Sequence, residues 1–303
     1  MNHAIHYLMS GDGHAHYLVV SLNSLRRHYT GRVVIHAYPE SIATMTRVAS
    51  DTRLGVETVL WEPLYCTPGK EPFIQKTFQN RGKNSQFINK ICMMQKNDSG
   101  VGLYLDADTF IVGKFDKYFE YAEQYGFVAT QFNDWVTNVG RIRGRVSMLL
   151  GRESINQDAV KRVIHNTYPS VNGGVFFCKP NSEVLRTWRE WSLAVRDIFI
   201  CDEIALHAIM GFYWQKDMEF RVIRDGVVNC SPKFRPAFLK DEDLVVWHGH
   251  GDSFTRPNKS KRGVELWTPE FQYCLNNNVG GMQEWIGTVN NKFLSEFLKG
   301  THG

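Results

Sequence analysis

The N-terminal third of the chain alternates between two hydrophobic periods, and that alternation restricts it to a layered α/β fold. Ala4 to Met9 is a short apolar run closed by Ser10-Gly11-Asp12-Gly13, the pattern of a strand that ends in a loop. The period then changes. Tyr17, Val20, Ser21, Leu22, Ser24 and Leu25 fall at helical spacing, Gly31 ends the run, and Val33 to Tyr38 is apolar again before Pro39. A helix over 41–49 and a strand over 56–61 continue the pattern, which predicts a mostly parallel central sheet flanked by helices.

Phe87, Ile88, Ile91, Cys92 and Met94 predict a helix over 84–96, broken by Asn97 to Gly100. The strand Val101 to Leu105 follows and delivers Asp106 and Asp108 at its carboxyl end, where open α/β sheets bind ligands. Side chains at i and i+2 share a face, so the two carboxylates converge on one point. Such a point suits Mn2+ or Mg2+, hard cations that take carboxylate and phosphate oxygens. The same acids could instead cap the following turn or pair with Lys114, because D-x-D is a short pattern with many chance matches.

Farther on, Phe127 to Gln131 reads as a strand, and residues 133–165 carry Arg141, Arg143, Arg145, Arg152, Lys161 and Arg162, the composition of an acceptor-facing insertion. Val171 to Cys178 is a strand introduced by Asn172-Gly173-Gly174, and 181–196 and 202–210 are helical in pattern. Short strands near 220–224 and 244–247 precede His248-Gly249-His250-Gly251. No linker interrupts the 303 residues, so a single domain over 1–303 is expected. Thirty-five basic against 31 acidic residues leave a net charge of +4, too small a bias to demand nucleic acid and compatible with an anionic small substrate. No C-x-x-C pair occurs among the six cysteines, which argues for reduced, buried thiols. No signal-peptide pattern and no run of roughly 20 apolar residues is present, so a cytoplasmic protein without stable membrane insertion is expected.

The segment Leu103-Tyr104-Leu105-Asp106-Ala107-Asp108-Thr109, with Asp116 beyond it, resembles the D-x-D segment of GT-A glycosyltransferases, particularly the retaining glycogenin and lipopolysaccharide galactosyltransferase group. Tyr17 to Leu25 resembles the first helix of that family, Ser170-Val171-Asn172-Gly173-Gly174-Val175-Phe176-Phe177 its N-x-G-V strand, and His248-Gly249-His250-Gly251 its late H-x-x-G metal motif. The resemblance implies a GT-A (Rossmann-like) domain that moves a hexose from a nucleotide diphosphate sugar, with uridine as the first guess for the base. It implies that Asp106, Asp108 and His248 hold Mn2+ or Mg2+, and that Ser10, Asp12 and Tyr17 lie near the nucleotide. Asn172, Gly173 and Gly174 would line the sugar pocket, with Asp202 or Glu203 as the catalytic candidates beside the transferred sugar. Where the family has Lys-Pro-Trp, this chain has Arg256-Pro257-Asn258-Lys259; Lys259, Arg256 or Lys261 would meet the diphosphate, or else form a solvated basic loop.

Each assignment has a plainer counterpart. His248 could be a packed histidine with His250 as the ligand, Asn172-Gly173-Gly174 an ordinary turn, and Asp202-Glu203 acids placed by the helix dipole. Lys83 and Lys90 read as a solvated face, and Trp135, Tyr168 and Trp214 as core or stacking surfaces. Asp106-Ala107-Asp108-Thr109 also matches the nucleophile loop of haloacid-dehalogenase phosphohydrolases, with Asp106 as nucleophile, although only Asp241-Glu242-Asp243 could supply the later acidic pair. A nonenzymatic nucleotide-sugar binding module is the other alternative. The acceptor stays open among a glycan, a lipid-linked sugar, a protein and a modified DNA base, and a homo-oligomer is compatible with the sequence.

Overall fold

The computed structural model describes residues 2–62, 86–132, 139–198, 200–213, 219–224, 226–250, 253–289 and 291–300. In chain order the first elements are β1 (His3–Met9), α1 (Ala15–Arg26), β2 (Arg32–Ala37), α2 (Ile42–Ser50), β3 (Glu57–Leu60), α3 (Gln86–Lys96) and β4 (Val101–Leu105). These match the alternation expected from the sequence to within two residues at their ends. A three-residue strand, β5 (Thr109–Ile111), comes next, followed by α4 (Asp116–Tyr125) and β6 (Phe127–Gln131). Helices α5 (Val139–Val146) and α6 (Gln157–His165) lie in the basic stretch, and β7 (Val171–Cys178), α7 (Glu183–Ala194) and α8 (Cys201–Tyr213) follow. After β8 (Arg221–Ile223) and β9 (Val246–His248) the chain is helical, with α9 (Lys261–Asn276), α10 (Met282–Trp285) and α11 (Lys292–Gly300).

Seven strands form the main sheet in the order β3-β2-β1-β4-β7-β6-β8, and β5 pairs with β9 in a separate two-stranded ribbon. β2 and β3 run parallel, as do β6 and β8, whereas β6 and β7 are antiparallel. The fold is therefore α/β with a mostly parallel sheet, as the sequence predicts. Among the described residues no helix is long and apolar enough to cross a membrane.

Two compact units divide the chain. One comprises Ile5–Trp61, Leu105–Phe115 and Val227–Gly303. In it, α1 turns hydroxyls rather than methyls toward β5. Ser21 Oγ lies 2.9 Å from both Tyr7 Oη and Thr109 Oγ1, and Ile111 N donates to Ser24 Oγ at 3.0 Å. These buried bonds satisfy a strand too short to hold itself in register. His16, on the same helix, is fully buried with neither ring nitrogen hydrogen-bonded, and burial lowers its pKa to about 3.

The other unit comprises Met1–Ala4, Glu62–Tyr104 and Asp116–Gly226. Its core is aromatic: Phe127 and Phe176 stack at 5.8 Å, Trp188 meets Phe176 edge-on at 5.0 Å, and Phe220 stacks on Phe127 at 5.6 Å. α8 is buried on almost every face, and it approaches α6 so closely that a Cβ at Gly211 would lie 2.3 Å from the Ala159 carbonyl oxygen. His207 on α8 is held neutral. Its Nδ1 donates to the Glu203 carbonyl at 2.8 Å, its Nε2 accepts from Val171 N at 3.3 Å, and burial lowers its pKa to about 4.

Both histidines make stability fall with acid. Below the unfolded value of about 6.5 the unfolded chain takes up protons that the folded chain refuses, so the loss starts there and continues down toward the folded values. Between pH 7 and pH 5 each should cost about 2 kcal/mol. Urea midpoints across that range should show the fall, and His16→Leu should make it markedly shallower.

Candidate metal and sugar site

The ribbon explains how distant residues meet. Thr109 pairs with His248 across β5 and β9, and Gly249 N donates to the Asp108 carbonyl at 2.7 Å. Thr109 Oγ1 donates to the Asp106 carbonyl at 2.9 Å, closing the turn between the two acids. A Cβ on Gly249 would lie 2.2 Å from the Phe254 ring, so only glycine permits this approach. His248 Nε2 comes within 3.3 Å of Asp108 Oδ1 and 3.7 Å of Asp106 Oδ2. Among the described residues, this trio offers three ligand atoms that all lie within 4.8 Å of one another.

Asn229 supplies an orientation that the sequence did not reveal. Cys230 N donates to the Val246 carbonyl at 2.9 Å and His248 N to the Cys230 carbonyl at 2.8 Å, which sets residues 229–230 alongside β9. His248 Nδ1 then donates to Asn229 Oδ1 at 2.9 Å, leaving the Nε2 lone pair to face two carboxylates. His248 is 1% exposed, whereas the acid side chains are partly open at 33% and 24%. Burial alone would raise the Asp108 carboxyl, but positive charge on the facing His248 when it is protonated, with His14 and His250 beyond it, holds it well below the usual carboxylate range. Two carboxylates and an imidazole converging at these distances fit a divalent cation with mixed oxygen and nitrogen ligands, and Mn2+ suits that set better than Ca2+. Removing the orienting amide in Asn229→Ala should weaken Mn2+ binding by about 10–100-fold, as measured by calorimetry without any nucleotide.

In the same unit, Asp12 accepts from Thr44 Oγ1 at 2.7 Å through Oδ2, while its Oδ1 is buried without a hydrogen bond. Tyr17 is buried, with its hydroxyl 2.6 Å from Thr255 Oγ1. Ser10 and Lys259 are exposed. Asp241 pairs with Arg262 and Arg235, and Glu242 with Lys240, so the second acidic group that a phosphohydrolase needs is committed to surface ion pairs.

The other unit holds the remaining residues singled out from the sequence. Asn172, Gly173 and Gly174 lie where the β6–β7 register shifts between Ala129 and Thr130, and Asn172 Oδ1 accepts from Gly174 N at 2.7 Å. Gly173 faces an ion pair: a Cβ there would lie 2.9 Å from Lys90 Nζ and 3.3 Å from Asp202 Oδ2. Lys90 Nζ is 2.6 Å from Asp202 Oδ2, and both residues are buried. The solvated-face expectation for Lys90 is thereby corrected; its helix turns it inward because Asp202 neutralises it. Trp188 Nε1 donates to the Asp202 carbonyl at 2.7 Å, and Arg145 lies 3.6 Å from Glu203. Arg143, Arg152 and Arg162 are likewise engaged, with the Asn166 carbonyl, Asp197 and the Gly211 carbonyl. Lys83, Trp135, Trp214 and Gly251 lie outside the described residues, as do the side chain of Arg141 and Cys66. The five described cysteines are buried thiols.

Solved structures share the fold. The galactosyltransferase LgtC, solved with donor and acceptor sugar analogues, matches with a TM-score of 0.58 over 89% of this chain and 95% of that one, at 13% identity. The chain has the fold of the GT-A glycosyltransferases. Mouse xyloside xylosyltransferase 1 matches with a TM-score of 0.53 over 83% of this chain and 99% of that one, at 12% identity. The glycosyltransferase GlyE of Streptococcus pneumoniae TIGR4 matches with a TM-score of 0.50 over 92% of this chain and 64% of that one, at 12% identity. No family model matches the sequence, and no curated protein does.

Proposed function

We propose that the chain is a metal-dependent glycosyltransferase that moves a hexose from a UDP-sugar to a hydroxyl acceptor with retention of configuration. The observation that carries the proposal is the convergence of Asp106, Asp108 and the Asn229-oriented His248, on a fold shared with sugar transferases. A cation held there supplies charge neutralisation for the departing diphosphate. The chain's own residues do the rest. Asp106 and Asp108 present partly open carboxylates, and the buried His248 faces both. Asp12 Oδ1, buried without a donor, suits an imide N–H such as that of uracil. Lys259 and Arg256 are the candidates for direct charge on the phosphates.

Asn172, Gly173 and Gly174 keep the sugar-lining role, and Asp202 and Glu203 the contacts to the transferred sugar. Asp202, paired with Lys90, can accept hydrogen bonds from sugar hydroxyls, while Glu203 is the candidate nucleophile of a retaining reaction. Calorimetry with UDP tests the donor assignment without turnover. UDP should bind at least about 10-fold more tightly with Mn2+ than with EDTA, and Asp12→Ala should weaken UDP binding while leaving Mn2+ binding unchanged. Equal UDP affinity with and without metal would count against the proposal.

A further inference from the structure

A second concave site lies at the end of the main sheet, where β8 is the last strand in the order. Residues of α4 and β8, together with Arg224, line a cavity of about 350 Å³. At 100° per residue, Lys117, Tyr121, Tyr125 and Tyr118 share an arc of about 100° on α4, whereas Asp116, Glu120 and Glu123 occupy a different arc. The helix thus segregates its tyrosines and one lysine from its acids. β8 and the residue after it add Arg221 and Arg224, and no acidic residue lines the cavity among the described residues.

The rings hold the cations in place. The Arg221 guanidinium sits 4.1 Å from the Tyr125 ring centre, and Lys117 Nζ sits 4.8 Å from that of Tyr118. Arg221 also donates to the neighbouring Phe220 carbonyl, at 3.3 Å. Tyr121 is 47% exposed and meets the Tyr118 ring edge to face at 6.3 Å. A cavity of this size sits near the lower end of the ligand range and admits one or two sugar rings.

We propose that this cavity binds an anionic saccharide, with a pyranose ring on Tyr121 and its carboxylate or phosphate taken up by Lys117, Arg221 and Arg224. An aromatic face packs against the apolar C–H face of a pyranose, and guanidinium groups recognise carboxylate and phosphate alike. Three cationic side chains on one wall favour an anionic group over a neutral sugar, whose hydroxyls bring no opposing charge.

The test is binding by the intact 303-residue chain, measured by calorimetry with trigalacturonate, maltotriose and inorganic phosphate. Trigalacturonate should bind, maltotriose should bind at least about 10-fold more weakly, and affinity should fall as salt rises. The double substitution Arg221→Gln with Arg224→Gln, and separately Tyr121→Ala, should each weaken trigalacturonate binding about 10-fold or more while leaving manganese-dependent UDP binding unchanged. Unchanged trigalacturonate affinity in both variants would overturn the proposal. So would equal binding of maltotriose, phosphate binding without saccharide binding, or no binding of any probe to the wild type. Retention of UDP binding in each case would leave the donor assignment standing.

Discussion

Asp108→Ala is expected to lower manganese-dependent UDP release from a UDP-sugar by on the order of 10³-fold, the size of effect that follows loss of a group stabilising transition-state charge. The side chain is only partly buried, at 24% exposure, and Gly249 N bonds the Asp108 backbone rather than its carboxylate. The melting temperature should therefore move by no more than a few degrees, while Mn2+ affinity collapses. A variant that binds Mn2+ as wild type does and still turns over would remove Asp108 from the metal site.

The second large effect concerns the buried pair in the other unit. Asp202→Asn removes the carboxylate 2.6 Å from the buried Lys90 ammonium, and breaking a buried pair in this way should cost about 3–5 kcal/mol of stability. It should also abolish most transfer activity. Lys90→Met combined with Asp202→Leu removes both charges and should recover most of the stability, because well-packed apolar replacements of a buried pair are often neutral or better. Activity should not recover with it. Full activity in a stable Asp202 variant would reduce this residue to a structural role.

Much of the site was legible where local pattern and chemistry coincide. The change of period before Val101 to Leu105 placed Asp106 and Asp108 at a strand's carboxyl end, and β7 runs over the Val171 to Cys178 interval read from its apolar pattern. His248 was legible only through a family resemblance, because a histidine after a short apolar run carries no signal of its own. β5 escaped notice because three residues show no alternation, and its register depends on hydroxyls of α1 and on β9. Asn229 was invisible for a related reason: its link to His248 arises from bridging between Cys230 and Trp247 and not from spacing. Lys90 was misread because a lysine in a helical pattern normally faces water, and Asp202, which reverses that, lies far along the chain. The basic stretch that opens with Asn133 gave no readable period, yet α5 and α6 form there and several of their arginines are pinned to carbonyls and an acid.

The central claim is tested most directly by incubating wild-type protein with UDP-glucose and UDP-galactose, with Mn2+ and with EDTA, and measuring released UDP. The account predicts release from at least one donor in Mn2+, none in EDTA, and recovery when Mn2+ is restored. Failure to hydrolyse or bind either donor in Mn2+, together with release of phosphate from a simple phosphate ester, would contradict it and favour a phosphohydrolase.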